Sequence, residues 1–262
     1  YPSLTNAVIP KSVVNSYYYY KYKVTGIGAR AFYYCSSLTS VTIPNTVTAI
    51  SDSAFYRCNS LTSITIPSSV NFIGNCAFEE CAKLTSVNIP AGITSISKQV
   101  FYKCSSLTSV TIPEGVTSIG GGAFSYTALD SVTIPESVTS IGIGAFSNTN
   151  LTSVIIPNSV TSIGFGAFSG CGILTSITIP GGITSIEGHT FNGCSKLTSV
   201  IIPSGVKHIG YEAFSGCRSL TSITIPDGVT RIYHQTFKNC TSLTSLTIPS
   251  GVKHIGWEAF SG

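Results

Sequence analysis

Hydrophobic and polar positions recur along nearly the whole chain with a period of 22 or 23 residues. Residues 38–44 read LTSVTIP, residues 47–50 read VTAI and residues 54–55 read AF, and close copies of these segments return about eleven times. A fixed period of this length is typical of stacked supersecondary units, each of which buries its apolar face against its neighbours. The pattern therefore predicts one solenoid domain that spans residues 1–262.

Each repeat is predicted to contain two short extended segments joined by turns. In residues 38–44, valine and isoleucine alternate with serine and threonine, as in a strand with one buried face. Pro44 has no N–H to donate and ends the ladder, after which Val47 and Ile50 anchor a second extended or turn segment. Glycines that often follow are expected in turns with positive φ, namely Gly74, Gly120, Gly142, Gly164, Gly210 and Gly256. The predicted fold is a mainly β repeat solenoid, with parallel strands on one face and the extended or turn segments on the other.

One segment departs from the period, because residues 14–24 are 11 extra residues in the first repeat. We expect a β-hairpin there, with a tight turn at Asn15 and Ser16. Its tyrosines are Tyr17, Tyr18, Tyr19, Tyr20 and Tyr22. Clustered tyrosine gives a large contact area at a low entropic cost, which favours a protein interface. A cap on the amino end of the solenoid and a carbohydrate-stacking surface are the alternatives.

The exposed side of the predicted strands is an almost uncharged row of hydroxyl groups. Its threonines are Thr42, Thr65, Thr111, Thr133, Thr178, Thr224 and Thr247. Because β-branched threonine suits any half-exposed strand, this row needs no functional explanation. The functional alternative is a concave face that binds a protein or a glycan. An ice-binding lattice fits less well, since leucine-rich sheets curve.

Composition limits the classes of partner. Charged residues make up 9% of the chain, well below the roughly one quarter that is usual for globular proteins. The formal net charge of +4 is scattered without a basic stripe, so no nucleic-acid partner is expected. No apolar stretch approaches the roughly 20 residues of a transmembrane helix, so no membrane span is predicted.

The nine cysteines largely follow the repeat. Two ladders are Cys35, Cys58, Cys81 and Cys104, and then Cys171, Cys194, Cys217 and Cys240. Threonine replaces cysteine in the two 22-residue repeats, and Cys76 stands outside both ladders. Closely spaced cysteine pairs of the kind that bind zinc are absent. Buried thiols that act as small apolar side chains are the favoured interpretation, with some disulfides, for example between Cys76 and Cys81, and metal binding as alternatives.

The sequence offers little support for catalysis, and no cofactor or metal site is expected. His208 and His254 lie two repeats apart, roughly 10 Å if the strands stack regularly, which is too far to share a metal ion. Acidic residues are dispersed, and no serine lies in a Gly-x-Ser-x-Gly motif. An enzyme is therefore not predicted.

The segments LTSVTIP, VTSIG and AF resemble the BspA-type leucine-rich repeat, also called the Treponema-type class. The resemblance covers almost the full chain, which lacks the asparagine ladder of the commoner leucine-rich repeats. It implies a leucine-rich repeat fold, a location outside the cell or on its surface, and adhesion to host proteins, matrix proteins or glycans. In a eukaryotic source, the sequons at Asn150 and Asn239 would allow N-glycosylation.

The repeat phase continues from the last residue into the first. Residues 251–262 are an ordinary repeat that stops midway, and residues 1–10 begin midway. Solenoids usually carry polar caps, because an open end exposes core and strand edge. We therefore expect a non-catalytic structural protein that associates head to tail into a filament, through Tyr1, Leu4, Val8, Trp257 and Phe260. An adhesin, or a segment of one, that binds matrix proteins or glycans is the alternative.

Overall fold

The computed structural model describes residues 3–262 and confirms a β-solenoid of about ten turns spaced about 23 residues apart. Strands of the first ladder come from the Ser-Val-Thr segments: β1 (Asn6–Val8), β5 (Ser40–Thr42), β7 (Ser63–Ile64), β9 (Ser86–Asn88), β11 (Ser109–Thr111), β14 (Ser153–Ile155), β16 (Ser176–Thr178), β18 (Ser199–Ile201), β20 (Ser222–Thr224) and β22 (Ser245–Thr247). All pairings in this ladder are parallel, as between β1 and β5 or between β16 and β18.

The second ladder is built from the segment that ends each repeat's second extended stretch. Its strands are β4 (Gly26–Ile27), β6 (Ala49–Ile50), β8 (Phe72–Ile73), β10 (Ser95–Ile96), β12 (Ser118–Ile119), β13 (Ser140–Ile141), β15 (Ser162–Ile163), β17 (Ser185–Ile186), β19 (His208–Ile209), β21 (Arg231–Ile232) and β23 (His254–Ile255). They also pair in parallel, each isoleucine lying over the isoleucine of the next repeat, as with Ile119 and Ile141.

Consecutive tight turns form the third side of the solenoid, here called the turn face. It is held by backbone hydrogen bonds between repeats, such as those from Arg30 N to Asp52 O at 3.0 Å and from Phe32 N to Ala54 O at 2.7 Å. Two positions in each turn have a left-handed backbone, for example Arg30 with φ 58° and Tyr34 with φ 59°. The turn face therefore presents side chains on a strained but fully hydrogen-bonded backbone.

The core lies between the three sides as stacks of identical residues. Leu38, Ile50 and Phe55 are fully buried, and so are most of their equivalents. The phenylalanine rings stack nearly parallel, with centroids from 5.0 Å apart at Phe32–Phe55 to 6.0 Å at Phe168–Phe191. Offset stacking of this kind adds to the hydrophobic stabilisation of burial.

All nine cysteines are free thiols, and eight of them are buried. From Cys58 onward, each ladder thiol donates to the carbonyl oxygen of the phenylalanine one repeat earlier, as Cys58 Sγ does to Phe32 O at 3.2 Å. In the 22-residue repeats, Thr127 Oγ1 donates to Phe124 O at 2.8 Å and Thr149 Oγ1 to Phe146 O at 2.9 Å. The thiol and the hydroxyl thus serve the same kind of buried acceptor.

The conserved-looking glycines after the second ladder do not have the positive φ that we expected from the sequence. Gly164 and its equivalents have ordinary backbone angles, and what they provide is close approach between repeats. A Cβ on Gly164 would lie 2.6 Å from Ile143 N, which real Cβ atoms do not tolerate. Positive φ occurs at other turn positions instead, many of them occupied by larger residues.

The inserted segment contains an antiparallel hairpin of β2 (Ser12–Val14) and β3 (Lys21–Lys23). Its turn is wider than the tight turn expected at Asn15 and Ser16, because Asn15 N donates to Tyr20 O at 2.8 Å. Asn15 Oδ1 accepts from the backbone N–H groups of Tyr17 and Tyr18, which fixes the loop. Val24 packs against the core while Val13 is exposed, so the protruding part is 12–23 rather than 14–24.

The two shortened repeats interrupt the first ladder. Between β11 and β14 there is no strand among the described residues, and a single bridge joins Thr133 to Ile155. The second ladder is continuous at the same place, because β12, β13 and β15 pair in order. The missing residue therefore disturbs one side of the solenoid and leaves the other side regular.

Candidate functional site

The seven threonines of the strand face all lie on the solvent side of the first ladder. They do not form a continuous row, because other residues occupy the same column in several repeats. Thr178 pairs between Ile155 and Ile201, whose side chains are 83% and 70% exposed. The hydroxyl lattice expected from the sequence is thus broken by exposed aliphatic side chains.

A neighbouring threonine column is engaged in structural hydrogen bonds. Thr175 Oγ1 donates to Thr152 O at 3.1 Å, Thr198 Oγ1 to Thr175 O at 3.1 Å, and Thr244 Oγ1 to Thr221 O at 3.3 Å. These bonds join each repeat to the preceding one through its backbone carbonyl. Threonine in this column therefore has a structural role that needs no ligand.

The residues expected at a head-to-tail junction lie at opposite ends of the solenoid. Leu4 packs partly buried against the amino end of the core, and Val8 is exposed on β1. Trp257 is exposed on the turn face of the last repeat, and Phe260 stacks on Phe237 at 5.5 Å with one face open. Tyr1 lies outside the described residues.

The five hairpin tyrosines are all exposed. Tyr17 and Tyr18 contact each other edge to face at 4.9 Å, and Tyr18 stacks on Tyr20 at 6.5 Å. The sequons are also accessible, since Asn150 and Asn239 are both exposed. The hairpin thus projects aromatic surface into solvent, and both asparagines can be reached by a modifying enzyme.

A group of aromatic and charged side chains on the turn face was missed by the reading of the sequence. Tyr33 and Tyr56 stack at 4.9 Å with 13° between their planes, and Tyr34 lies 4.7 Å from Tyr33. The Arg57 guanidinium lies 5.1 Å above the Tyr34 ring and 5.4 Å above the Tyr56 ring, and Arg57 Nη1 donates to Tyr34 Oη at 2.7 Å.

Ion pairs extend this group along the solenoid. Arg57 Nε lies 2.7 Å from Glu80 Oε2, and Lys103 Nζ lies 3.8 Å from Glu80 Oε1. The hydrogen bond to Glu80 raises the pKa of Arg57, while burial and then Glu80 raise the pKa of Tyr56. The phenol is therefore neutral and the guanidinium charged at physiological pH. Lys103 Nζ lies 5.2 Å above the Tyr102 ring, which in turn contacts Tyr126 at 5.8 Å.

We call this group the tyrosine–arginine band. It occupies the two positions that follow the core phenylalanine in the first five repeats. Its members are Tyr33, Tyr34, Tyr56, Arg57, Glu79, Glu80, Tyr102, Lys103 and Tyr126. In the later repeats the same two positions hold small or polar residues such as Ser169 and Gly170. Comparison of this one column between repeats would have found the band from the sequence.

The histidines and acids do not assemble into a metal site among residues 3–262, where no group of three His, Cys, Asp or Glu side chains lies close enough to hold an ion. Burial raises the pKa of the ladder thiols, to about 12 for Cys58 and about 11 for Cys240. These thiols are therefore protonated and weak nucleophiles at neutral pH. No helix within the described residues is long and apolar enough to cross a bilayer.

Comparisons with known proteins agree with this architecture. A family model described as the BspA type leucine rich repeat region (6 copies) matches residues 25–150 and 139–262. No curated protein matches the chain.

Solved structures supply the most similar proteins. A leucine-rich repeat protein from Bacteroides ovatus is 29% identical with a TM-score of 0.68, covering 98% of this chain and 84% of that one. One from Eubacterium ventriosum is 25% identical with a TM-score of 0.61, covering 99% and 82%. The T. pallidum leucine rich repeat protein is 32% identical with a TM-score of 0.50, covering 70% and 78%.

Proposed function

Because the chain belongs to the BspA-type leucine-rich repeat family, we propose that it is a non-catalytic protein of the cell surface or extracellular space that binds partner proteins. The binding surface is the tyrosine–arginine band, together with the exposed tyrosines of the hairpin. Tyrosine and arginine dominate the energetics of protein interfaces, because they combine large contact area with hydrogen-bonding groups. The band carries both residue types on neighbouring rungs of a rigid solenoid.

The backbone of the band carries this proposal. Tyr34, Arg57, Glu80, Lys103 and Tyr126 all have positive φ, between 56° and 59°. At the equivalent position, later repeats use glycine, as at Gly170, Gly193 and Gly216. A side chain in this region costs roughly 1–2 kcal/mol relative to the right-handed region, a penalty that glycine avoids. Five such side chains in succession favour a functional over a structural reason for them.

The strand face is the weaker candidate, since its threonine column is interrupted and the neighbouring hydroxyls bond within the solenoid. A direct comparison uses binding of the purified chain to a panel of immobilised extracellular-matrix proteins, followed by biolayer interferometry. We expect Tyr34→Ala to weaken binding about tenfold or more, and Thr178→Lys to leave it unchanged. Binding lost in Thr178→Lys and kept in Tyr34→Ala would place the site on the strand face and overturn the proposal.

A second candidate function, end-to-end association of copies, is favoured by the direction of the hydrogen bonds between repeats. In the second ladder, N–H groups donate to the preceding repeat, as Lys253 N does to Thr230 O. On the turn face they donate to the following repeat, as Phe237 N does to Ala259 O. Two copies placed in phase would therefore meet with donors opposite acceptors on both sides, and such a heterologous contact propagates as a filament.

Association is tested by light scattering and electron microscopy of the 262-residue polypeptide over a range of concentrations. We expect chains of particles whose length grows with concentration. Phe260→Glu places a charge on the end of the phenylalanine stack and should abolish growth, whereas Ile201→Glu, an exposed position in mid-solenoid, should not. Particles of one uniform short length at all concentrations would contradict this candidate.

A further inference from the structure

The turn face of the carboxyl-terminal half carries a second and different aromatic arrangement. One ring from each of five consecutive repeats contacts the next, and these rings form the aromatic stripe: Phe165, His189, Tyr211, His234 and Trp257. The centroid distances along it are 4.9, 5.1, 5.2 and 6.5 Å. At one strand spacing per repeat, the stripe is roughly 20 Å long.

The rings are open to solvent although they contact one another. Phe165 is 37% exposed, Tyr211 is 38% exposed and Trp257 is 64% exposed. Between the first two lies Gly188, where a Cβ would be 3.0 Å from Phe165 Cε2 and 3.2 Å from Tyr211 Cε1. The absence of a side chain at Gly188 lets both rings come together over the backbone, 5.8 Å apart, and close the gap in the stripe.

A row of polar side chains runs beside the stripe. It consists of His189, Glu212, Gln235 and Glu258, all with positive φ between 51° and 56°. The three preceding repeats have Gly122, Gly144 and Gly166 at this position. As in the tyrosine–arginine band, side chains replace glycine where the backbone favours glycine, and they do so where the rings are.

This polar row offers both hydrogen-bond donors and acceptors. Asn192 Nδ2 donates to Glu212 Oε2 at 3.1 Å, and Gln235 Nε2 donates to Glu258 Oε2 at 2.9 Å. Lys238 pairs with Glu258 and lies 5.9 Å from the Trp257 ring centroid. The two carboxylates and one ammonium beside the rings leave no positive potential, so a polyanion such as a nucleic acid is a poor occupant.

We infer that the aromatic stripe binds a linear, uncharged polysaccharide. The axial C–H groups of a pyranose ring carry partial positive charge and stack on the negative face of an aromatic ring. Each sugar unit of an extended polysaccharide advances about as far as one repeat of the solenoid, so successive sugars meet successive rings. The polar row then hydrogen-bonds the hydroxyl groups at the sugar edges. Site and partner class both differ from those of the tyrosine–arginine band.

The single tryptophan of the chain, Trp257, makes the stripe directly measurable. The full chain is titrated with soluble β-glucan, xylan and mannan while tryptophan emission is followed, and retardation in native gels containing each polysaccharide is measured in parallel. We expect at least one of the three to shift the emission and retard the protein. Phe165→Ala and Tyr211→Ala should each weaken binding about tenfold.

Tyr126→Ala and Tyr34→Ala, both in the tyrosine–arginine band, are matched controls and should bind the polysaccharide like the parent chain. Trp257→Ala, followed by gel retardation, gives an independent variant at the exposed end of the stripe. The inference is overturned if none of the three polysaccharides changes the emission or the mobility, or if Tyr211→Ala and Trp257→Ala are retarded as strongly as the parent. Preferential binding of dextran sulfate or of an apolar peptide would equally overturn it.

Discussion

At the scale of single residues, glycine has two separate roles in this solenoid. At Gly164 the backbone angle is ordinary, and the missing Cβ allows the preceding repeat to approach within contact distance. At Gly166 the φ of 61° is left-handed, and space is not limiting. Other residues occupy the second kind of position in several repeats, because the cost of a left-handed backbone is modest while that of a backbone clash is larger.

The first prediction concerns Gly164. We expect Gly164→Ala to lower the free energy of unfolding by about 1–3 kcal/mol, because the new methyl group would lie 2.6 Å from Ile143 N. The penalty is moderate, since Ser97 occupies the equivalent place in another repeat. Gly181→Ala, with no atom within 4 Å of its Cβ, is the control and should be neutral in urea unfolding. Equal stability of the two variants would disprove the close-approach explanation.

The second prediction concerns the hydroxyl that replaces a thiol. Thr127→Val keeps the shape of a fully buried side chain but removes the donor to Phe124 O. We expect a loss of about 1–3 kcal/mol in the free energy of unfolding, because the carbonyl remains buried without this partner. Thr127→Ser retains the hydroxyl and should lose less. If serine and valine cost the same, side-chain packing rather than the hydrogen bond determines stability at this position.

At the scale of the element, the cysteine ladder makes the solenoid sensitive to alkaline pH. Burial raises the pKa of Cys58 to about 12 and that of Cys240 to about 11, against 9.0 for a free thiol. Below pH 9 these thiols are protonated in both states, and their contribution to stability is fully present. Above pH 9 the unfolded chain loses protons that the folded chain keeps, so stability falls as the pH rises toward the folded pKa values.

The third prediction follows from this linkage. The free energy of unfolding should decrease between pH 9 and pH 11 by up to about 1.4 kcal/mol per pH unit for each such thiol. Urea titrations under reducing conditions at pH 8, 9 and 10 measure the slope. The double variant Cys58→Ala and Cys240→Ala should show a shallower slope, although its stability at pH 8 is lower. A slope unchanged in the double variant would remove these two thiols as the cause.

At the scale of the whole molecule, the two 22-residue repeats form the point where the solenoid is least tightly joined. The first ladder is reduced there to one bridge, Thr133 to Ile155, while the second ladder continues. In a repeat protein, stability is approximately a sum of repeat terms and interface terms between neighbours. The two flanking halves also carry the two different aromatic surfaces, the tyrosine–arginine band and the aromatic stripe.

The fourth prediction is made for this junction. Backbone amides of residues 131–133 should exchange with solvent at least about tenfold faster than those of β9, because the regular ladder is missing there. Hydrogen exchange followed by mass spectrometry of peptides covering the two segments measures the difference. Insertion of one serine after Thr127 restores a 23-residue repeat and should slow the exchange at 131–133. Equal exchange in both segments of the parent chain would contradict a weak junction.

The repeat period alone predicted the fold class, because an apolar position that returns every 22 or 23 residues can be buried only by stacking copies. Val41, Ile43, Ile50 and Phe55 were all expected inside, and all are buried. The glycine roles and the hairpin turn were not predicted correctly. Both depend on distances between residues of different repeats or across a loop, and a one-dimensional pattern contains no such distances.

The sequence by itself thus determined the solenoid, its register and its core, since these follow from periodic burial of identical side chains. Only the tertiary structure decided which exposed side chains meet. Tyr33 and Tyr56 are 23 residues apart and stack because the turns lie one above another. Phe165 and Tyr211 are 46 residues apart and touch because Gly188 between them has no side chain. Surfaces are made by stacking, and stacking joins residues that the chain keeps apart.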